Sequence, residues 1–178
     1  AREGGPIGQR AVFVGGRAPF GIRECGPTRE GTSRYYPLIL TTGRILSQYN
    51  VGAQTRRTGN IMWHPQDVLE IHPHDAENRG IREGDMVSLA SRMGATTLKA
   101  MISERMQPGV VYTTFHHPVT GANVITTEYS DWATNCPEYK VTAVQVSRSN
   151  QPSDWQKEWE VRESEHKRVA VQPMIAAE

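Results

Sequence analysis

Residues 68–90 read VLEIHPHDAENRGIREGDMVSLA, and the punctuation of that run sets the fold. Val68-Leu69-Glu70-Ile71 is short and apolar, as a buried strand requires. Pro73 suits the first position of a helix, where its missing N–H is no loss and its fixed φ is already helical. Asp75 and Glu77 complement the positive start of that helix. Gly80 suits the left-handed residue that stops one. The pattern predicts a short capped helix over His72–Gly80, of about two turns. Glu83-Gly84-Asp85 then turns the chain, and Met86–Ser91 begins another strand.

The same reading extends in both directions. Thr96–Ser103 should pair with Met86–Ser91 as a hairpin around Gly94. Within it Leu98, Ala100 and Ile102 alternate with Thr97, Lys99 and Ser103, so one face is dry and one wet. Pro108-Gly109 is a turn, and Val110–Phe115 is a strand rich in β-branched and aromatic residues. Lys140–Val146 is the last strand. Upstream, Leu38-Ile39-Leu40 is a buried strand that stops at Gly43. Residues 1–35 are rich in Gly, Pro and Arg, with one short strand at Ala11-Val12-Phe13-Val14 and otherwise irregular linker. The start at Ala1 reads as a cut end. Residues 44–62 and 116–138 are long polar connections, which are more often functional than idle. Ser153 and Gln156 form a capping box ahead of Trp155 and Trp159. The two tryptophans share a helix face, so a helix of about three turns should follow and fade by Pro173. Such a face more often docks on a core or partner than stacks on a cofactor. The sum is a barrel-like β core with one short inserted helix and a C-terminal helix.

Bulk properties remove several function classes. The 178 residues are 37% hydrophobic and carry a net charge of +1, which gives no grounds for bulk nucleic-acid or anionic-membrane binding. Cys25 and Cys136 form no Cys-x-x-Cys pair, so an iron–sulfur or zinc site within the chain is not expected. Both are read as reduced, in a cytoplasmic protein. No apolar run approaches the roughly 20 residues of a membrane span, and no signal peptide opens the chain.

Four places carry chemistry. His72-Pro73-His74 has no further metal ligand at a familiar spacing and reads as a helix cap. Thr41-Thr42-Gly43-Arg44 ends a buried strand with small residues and a guanidinium. Glycine there lets backbone approach a ligand, and free N–H groups with an arginine fork suit phosphate or an anionic ring system. Gln48, Tyr49 and Asn50 add planar hydrogen-bonding groups and an aromatic, and Gln54, Arg56 and Arg57 follow. His116-His117-Pro118 leaves a strand. Adjacent histidines point to different sides, so one at most serves a given site. Asn135-Cys136-Pro137-Glu138-Tyr139-Lys140 gathers amide, carboxylate, phenol and ammonium before the last strand. Its carboxylate could accept from the N–H edge of a guanine or pterin. Cys136 beside a proline reads as a surface cysteine.

These segments resemble a known family. Tyr36–Arg44 is similar to the entry of the molybdopterin-dinucleotide-binding domain of the dimethyl-sulfoxide-reductase superfamily. The run Ile71–Ala76, with Gly80-Ile81, Gly84-Asp85 and Val87, resembles its helix-and-turn signature. Ile45–Gly52 and Ser130–Lys140 resemble the catalytic alpha subunit of NAD-dependent formate dehydrogenases, oxidoreductases that convert formate to carbon dioxide. The resemblance implies a mainly β fold, a six-stranded double-psi β-barrel with short inserted helices and a C-terminal helix. It divides the chain into a linker over 1–35, a barrel over 36–147 and a helical tail over 148–178. It implies a bis(molybdopterin guanine dinucleotide) cofactor with molybdenum, or tungsten in relatives. By the same resemblance Thr42, Gly43, Arg44, Gln48, Asn50, Phe115, His116, Asn123, Glu138, Tyr139 and Lys140 would bind it. Many superfamily members carry His-Trp-His where this chain has Gln48-Tyr49-Asn50. No catalytic or metal-ligating residue is expected here. The metal ligand and cluster cysteines would lie in upstream domains, and the other partners would be iron–sulfur and flavin subunits that reduce NAD. The fragment alone should then be inactive. A cofactor-free assembly module is disfavoured by Arg44, Asn50, Glu138 and Lys140, and a nitrate reductase by the Gln48-Tyr49-Asn50 loop.

Overall fold

A computed structural model describes residues 26–131 and 133–175, with side chains as far as residue 167. Six strands close into a barrel: β1 (Leu38–Gly43), β2 (Val68–Ile71), β3 (Met86–Ala90), β4 (Ala95–Ile102), β5 (Val110–Thr114) and β6 (Thr142–Arg148). Around the barrel the order is β1-β5-β2-β4-β3-β6. β1 pairs parallel with β5, and β2 parallel with β4. The other four pairings are antiparallel. Advancing each strand by three maps β1-β5 onto β4-β2 and β3-β4 onto β6-β1. It also returns β2-β5 and β3-β6 to themselves. The two halves are thus interlocked copies of one motif, the double-psi arrangement. Closure removes every exposed strand edge.

Alternation fills the interior. Leu38, Leu40, Leu69, Ile71, Val87, Leu89, Leu98, Ala100, Val111, Val144 and Val146 pack in one buried cluster with Ile125. Burying each of the Leu, Ile and Val side chains stabilises by about 1.5–3 kcal/mol, so the barrel is a packed core and not a pore.

The helix α1 (Pro73–Glu77) is shorter than the pattern over His72–Gly80 predicts. His72 is its N-cap, with Nδ1 accepting from the His74 N–H at 3.1 Å, and Pro73 opens the helix. The chain leaves it through Gly80 at φ 63°, with the Ile81 N–H returning to the Ala76 carbonyl at 2.9 Å. The hairpin is as expected: Ala90 faces Ala95, and the Ser91 N–H closes on the Gly94 carbonyl at 2.8 Å.

The first strand ends at Gly43, as expected, with β5 pairing along it up to Thr114. Two expectations shift. The last strand begins at Thr142 and not Lys140, because residues 138–141 form a turn closed by the Val141 N–H on the Glu138 carbonyl. The tail helix α2 (Asp154–Ile175) extends past Pro173. Ion pairs Lys157–Asp154, Arg162–Glu158 and Lys167–Glu163 line it at helical spacing and support its length. The predicted strand at Ala11–Val14, and Cys25, lie outside the described residues. Segment 26–35 is irregular, yet Glu30 is buried. It accepts from Arg92 at 3.0 Å and from the Ala143 N–H at 2.9 Å, tying the segment to the hairpin and to β6. No helix among the described residues is long and apolar enough to cross a membrane.

Candidate functional site

Parallel pairing of β1 with β5 puts their C-terminal ends side by side, Gly43 opposite Thr114. The next residues, Arg44 and Phe115, therefore leave the barrel together. The Arg44 guanidinium carbon lies 5.7 Å from the Phe115 ring centroid, and the Lys140 ammonium lies 6.0 Å from it. One flat aromatic is thus flanked by two cations. Arg44 is exposed and donates to Asn50 Oδ1 at 2.9 Å. Asn50 takes a left-handed backbone, φ 47°, at the turn that brings its amide back. Lys140 donates to the Thr42 carbonyl, and Thr42 Oγ1 to the Tyr139 carbonyl at 3.1 Å, which ties the last turn to the end of β1.

Tyr112 on β5 sets the turn at Gly43. A Cβ on Gly43 would meet its hydroxyl at 2.6 Å. That hydroxyl donates to the Arg44 carbonyl at 3.2 Å. Burial first, and then the Glu70 charge, push the phenol above its ordinary pKa, so it stays a donor at neutral pH. Glu70 is itself held by both Nε and Nη2 of Arg105, each at 2.7 Å.

Beneath this surface lies a buried carboxylate. Asp67 accepts from the Thr114 hydroxyl, from the His116 N–H at 3.2 Å and from the His117 N–H at 3.0 Å. His117 Nδ1 adds a contact at 3.1 Å. Burial pushes the Asp67 carboxyl up, but the hydrogen bonds from His117 and Thr114 and the His117 charge together outweigh it, and its pKa falls below the ordinary value. Asp67 is therefore an anion that gathers donors from the end of β5.

Sequence-predicted residues separate into groups. Thr42, Gly43, Arg44, Asn50, Phe115 and Lys140 come together, with Tyr139 contributing its carbonyl while its ring stays exposed. His116 is fully buried. Its Nε2 accepts from the Ile45 N–H at 3.2 Å, which fixes the proton on Nδ1, facing the Asn50 carbonyl. Both nitrogens are used, so this ring pins the β1–β2 connection to β5. Gln48 is buried too. Its Oε1 accepts from the Thr55 hydroxyl at 2.6 Å, while Nε2 finds no acceptor. Asn123 is exposed on a 3-10 turn, Ala122–Val124, and shares a cavity of about 330 Å³ with Phe115, His117 and Trp155. Glu138 accepts from the Thr28 hydroxyl at 2.9 Å and lines a groove of about 740 Å³ with Arg29, Tyr129 and Cys136. Among the described residues no cluster of His, Cys, Asp or Glu is placed to hold a metal ion.

Sequence reasoning overlooked Asp67 and Tyr112. Asp67 stands just before a predicted strand, where an aspartate reads as a turn residue. Tyr112 sits in a β-branched run, where an aromatic reads as a strand former. Only the pairing of β5 with both β1 and β2 brings either to the site.

Known proteins resemble this chain in sequence and in fold. A family model described as the molydopterin dinucleotide binding domain matches residues 38–143. The F420-dependent formate dehydrogenase subunit alpha of Methanocaldococcus jannaschii is 42% identical over 114 residues, covering 64% of this chain and 17% of that protein. The F420-dependent formate dehydrogenase 2 subunit alpha of Methanococcus maripaludis is 39% identical over 151 residues, covering 82% and 22%. The chain thus spans about a fifth of the length of these curated relatives. Acetylene hydratase from Pelobacter acetylenicus superposes with a TM-score of 0.57 at 17% identity, over 64% of this chain and 18% of that one, a likeness of fold alone.

Proposed function

This chain belongs to the molydopterin dinucleotide binding domain family, and on that footing we propose that it is the cofactor-gripping domain of a formate dehydrogenase alpha subunit. The group such a domain holds is a molybdopterin guanine dinucleotide with molybdenum. The observation that carries the reading is the Phe115 ring with Arg44 and Lys140 both close to its centroid, at 5.7 and 6.0 Å. An anionic, flat, hydrogen-bonding ligand asks for cations around an aromatic face.

The residues present fit that group. Arg44 and Lys140 would meet its negative charge. Gln48 Nε2, a buried donor without a protein acceptor, and the Asn50 amide match the polar edge of a pterin. When bound, the group supplies the redox chemistry at its metal, and this chain's residues bind and orient it.

Formate oxidation by the whole subunit is part of the proposal. So are a cytoplasmic location, upstream domains bearing the metal ligand, and iron–sulfur and flavin partner subunits. The acceptor separates two versions. The Ile45–Gly52 and Ser130–Lys140 segments resemble NAD-dependent enzymes, whereas the relatives above are F420-dependent by name. The test is to purify the complete subunit with its partners, measure its dinucleotide content, and assay formate-dependent reduction of NAD and of F420. Stoichiometric dinucleotide with turnover on one acceptor is expected. A subunit free of dinucleotide and inert to formate ends the reading.

A further inference from the structure

The connection from β5 to β6 opens with a segment, 117–124, that three other parts of the chain hold. Asp67 accepts from the His117 N–H at 3.0 Å and meets His117 Nδ1 at 3.1 Å. Thr96 on β4 donates its hydroxyl to the Thr120 carbonyl. The third hold comes from α2, where Trp155 Nε1 donates to the Pro118 carbonyl at 2.9 Å. The same indole lies against Gly121, where a Cβ would collide with its Nε1, Cδ1 and Cε2. Gly121 has φ 57° and opens the 3-10 turn that carries Asn123. Both the turn and the contact therefore ask for glycine. Trp155 is braced in turn. The Trp159 ring is 6.0 Å away and the Arg162 guanidinium carbon 5.9 Å, while neighbouring Gln156 is bonded to the N–H and the carbonyl of Thr97.

Phe115, His117, Asn123 and Trp155 line one cavity of about 330 Å³, and the rest of its wall is apolar. Apolar walls with a few placed polar groups are the make-up of a ligand pocket. His117 is 7% exposed. Asp67 is an anion and can only accept, so it fixes a proton on Nδ1 of His117. Nε2 is then left buried, with no partner among the described residues. A buried polar atom left unpaired calls for an explanation, and a ligand in the pocket supplies one.

We propose that Trp155 is a positioning residue for the dinucleotide. It acts through Pro118 and Gly121, and sets where His117 and Asn123 stand beside Phe115. The inference rests on reading the chain as a dinucleotide-holding domain, and it extends the grip from the barrel to the C-terminal helix.

Amide exchange and dinucleotide content test this in the complete subunit with its partners, as wild type, Trp155→Ala and Trp155→Phe. In cofactor-free Trp155→Ala, amides of residues 119–124 are expected to exchange roughly tenfold faster than any change at Val111 in the core accounts for, as for a local opening. The same variant, purified as the wild type is, should have lost most of its dinucleotide. Trp155→Phe keeps an aromatic ring but not the N–H, and should fall between the two. Wild-type dinucleotide in Trp155→Ala overturns the proposal. So does exchange that rises as much at Val111 as in the loop, since that is general destabilisation. Should Trp155→Ala fail to fold, wild-type exchange and dinucleotide in Trp155→Phe overturn it instead. A wild-type subunit without dinucleotide sinks the functional reading, whereas a loaded wild type beside an equally loaded Trp155→Ala sinks this inference alone.

Discussion

The Tyr112 ring occupies the space that a side chain on Gly43 would need: its hydroxyl, Cε2 and Cζ lie 2.6, 2.8 and 3.1 Å from the Cβ position. Gly43→Ala should therefore overpack the end of β1 and cost about 1–3 kcal/mol. Tyr112→Phe should not relieve the clash, because the ring carbons remain. Tyr112→Ala should relieve it, so the double variant with Gly43→Ala should be less destabilised than the two single effects added. Urea unfolding of the four proteins measures the coupling. Strict additivity would mean that the two residues do not touch.

Asp67 is a buried anion with donors from Thr114, His116 and His117. Asp67→Asn offers a donor where those groups need an acceptor, so it should cost about 1–3 kcal/mol at neutral pH. The sign with pH follows from the lowered pKa of the folded state. The carboxylate's contribution is fully present above the ordinary value of 3.8, and is lost as pH falls from there through the folded pKa. Denaturation curves of wild type and Asp67→Asn should separate at neutral pH and converge on acidification. A gap that stays constant to low pH would refute the assignment.

Gln156 joins α2 to the barrel. Its Nε2 donates to the Thr97 carbonyl at 2.7 Å, and its Oε1 accepts from the N–H groups of Thr97 at 3.2 Å and Ser153 at 2.8 Å. Gln156→Ala should lose about 1–2 kcal/mol and speed amide exchange at Thr97 and over the first turn of α2. Exchange at Val111, deep in the core, should follow only the change in global stability. Unchanged protection at Thr97 would show that the amide contact is decorative.

What the sequence made legible follows from the range of each interaction. The capping box of Ser153 and Gln156 and the cap at His72 are local, and they stand where the spacing places them. The strands of alternating residues are equally local. Gln156 reaching Thr97 is not local, and no spacing announces it. The histidine pair shows the same limit. Adjacent histidines do diverge, as alternation requires, but His116 is fully committed to holding Ile45 and Asn50, and His117 turns to Asp67. Asp67, 50 positions away in sequence from His117, gives no sign of itself in a one-dimensional reading. The strands were readable because each carries its own period, whereas the donors at the site meet only once the barrel closes.

Arg44 offers the sharpest test of the cradle. It follows Gly43 at the end of β1, its carbonyl is held by Tyr112, and its guanidinium is aimed by Asn50 and lies over Phe115. The backbone is therefore fixed, and the exposed fork is presented in one direction. Arg44→Lys keeps the charge but gives up the planar fork that can meet two oxygens at once. Arg44→Ala removes both. Loss of a charge-assisted hydrogen bond in a closed site costs about 1.5–3 kcal/mol, or roughly ten- to a hundredfold in affinity. In the complete subunit Arg44→Ala should accordingly lose most of its dinucleotide, and Arg44→Lys an intermediate share. The folded barrel should hardly notice either change. An exposed arginine is worth no more than about 0.5 kcal/mol to stability, so melting of the cofactor-free protein should be nearly unchanged. Dinucleotide content and melting temperature of the purified variants separate the two effects. If both variants retain wild-type dinucleotide, Arg44 does not grip the cofactor, and the pairing of Arg44 and Lys140 about Phe115 loses its functional meaning.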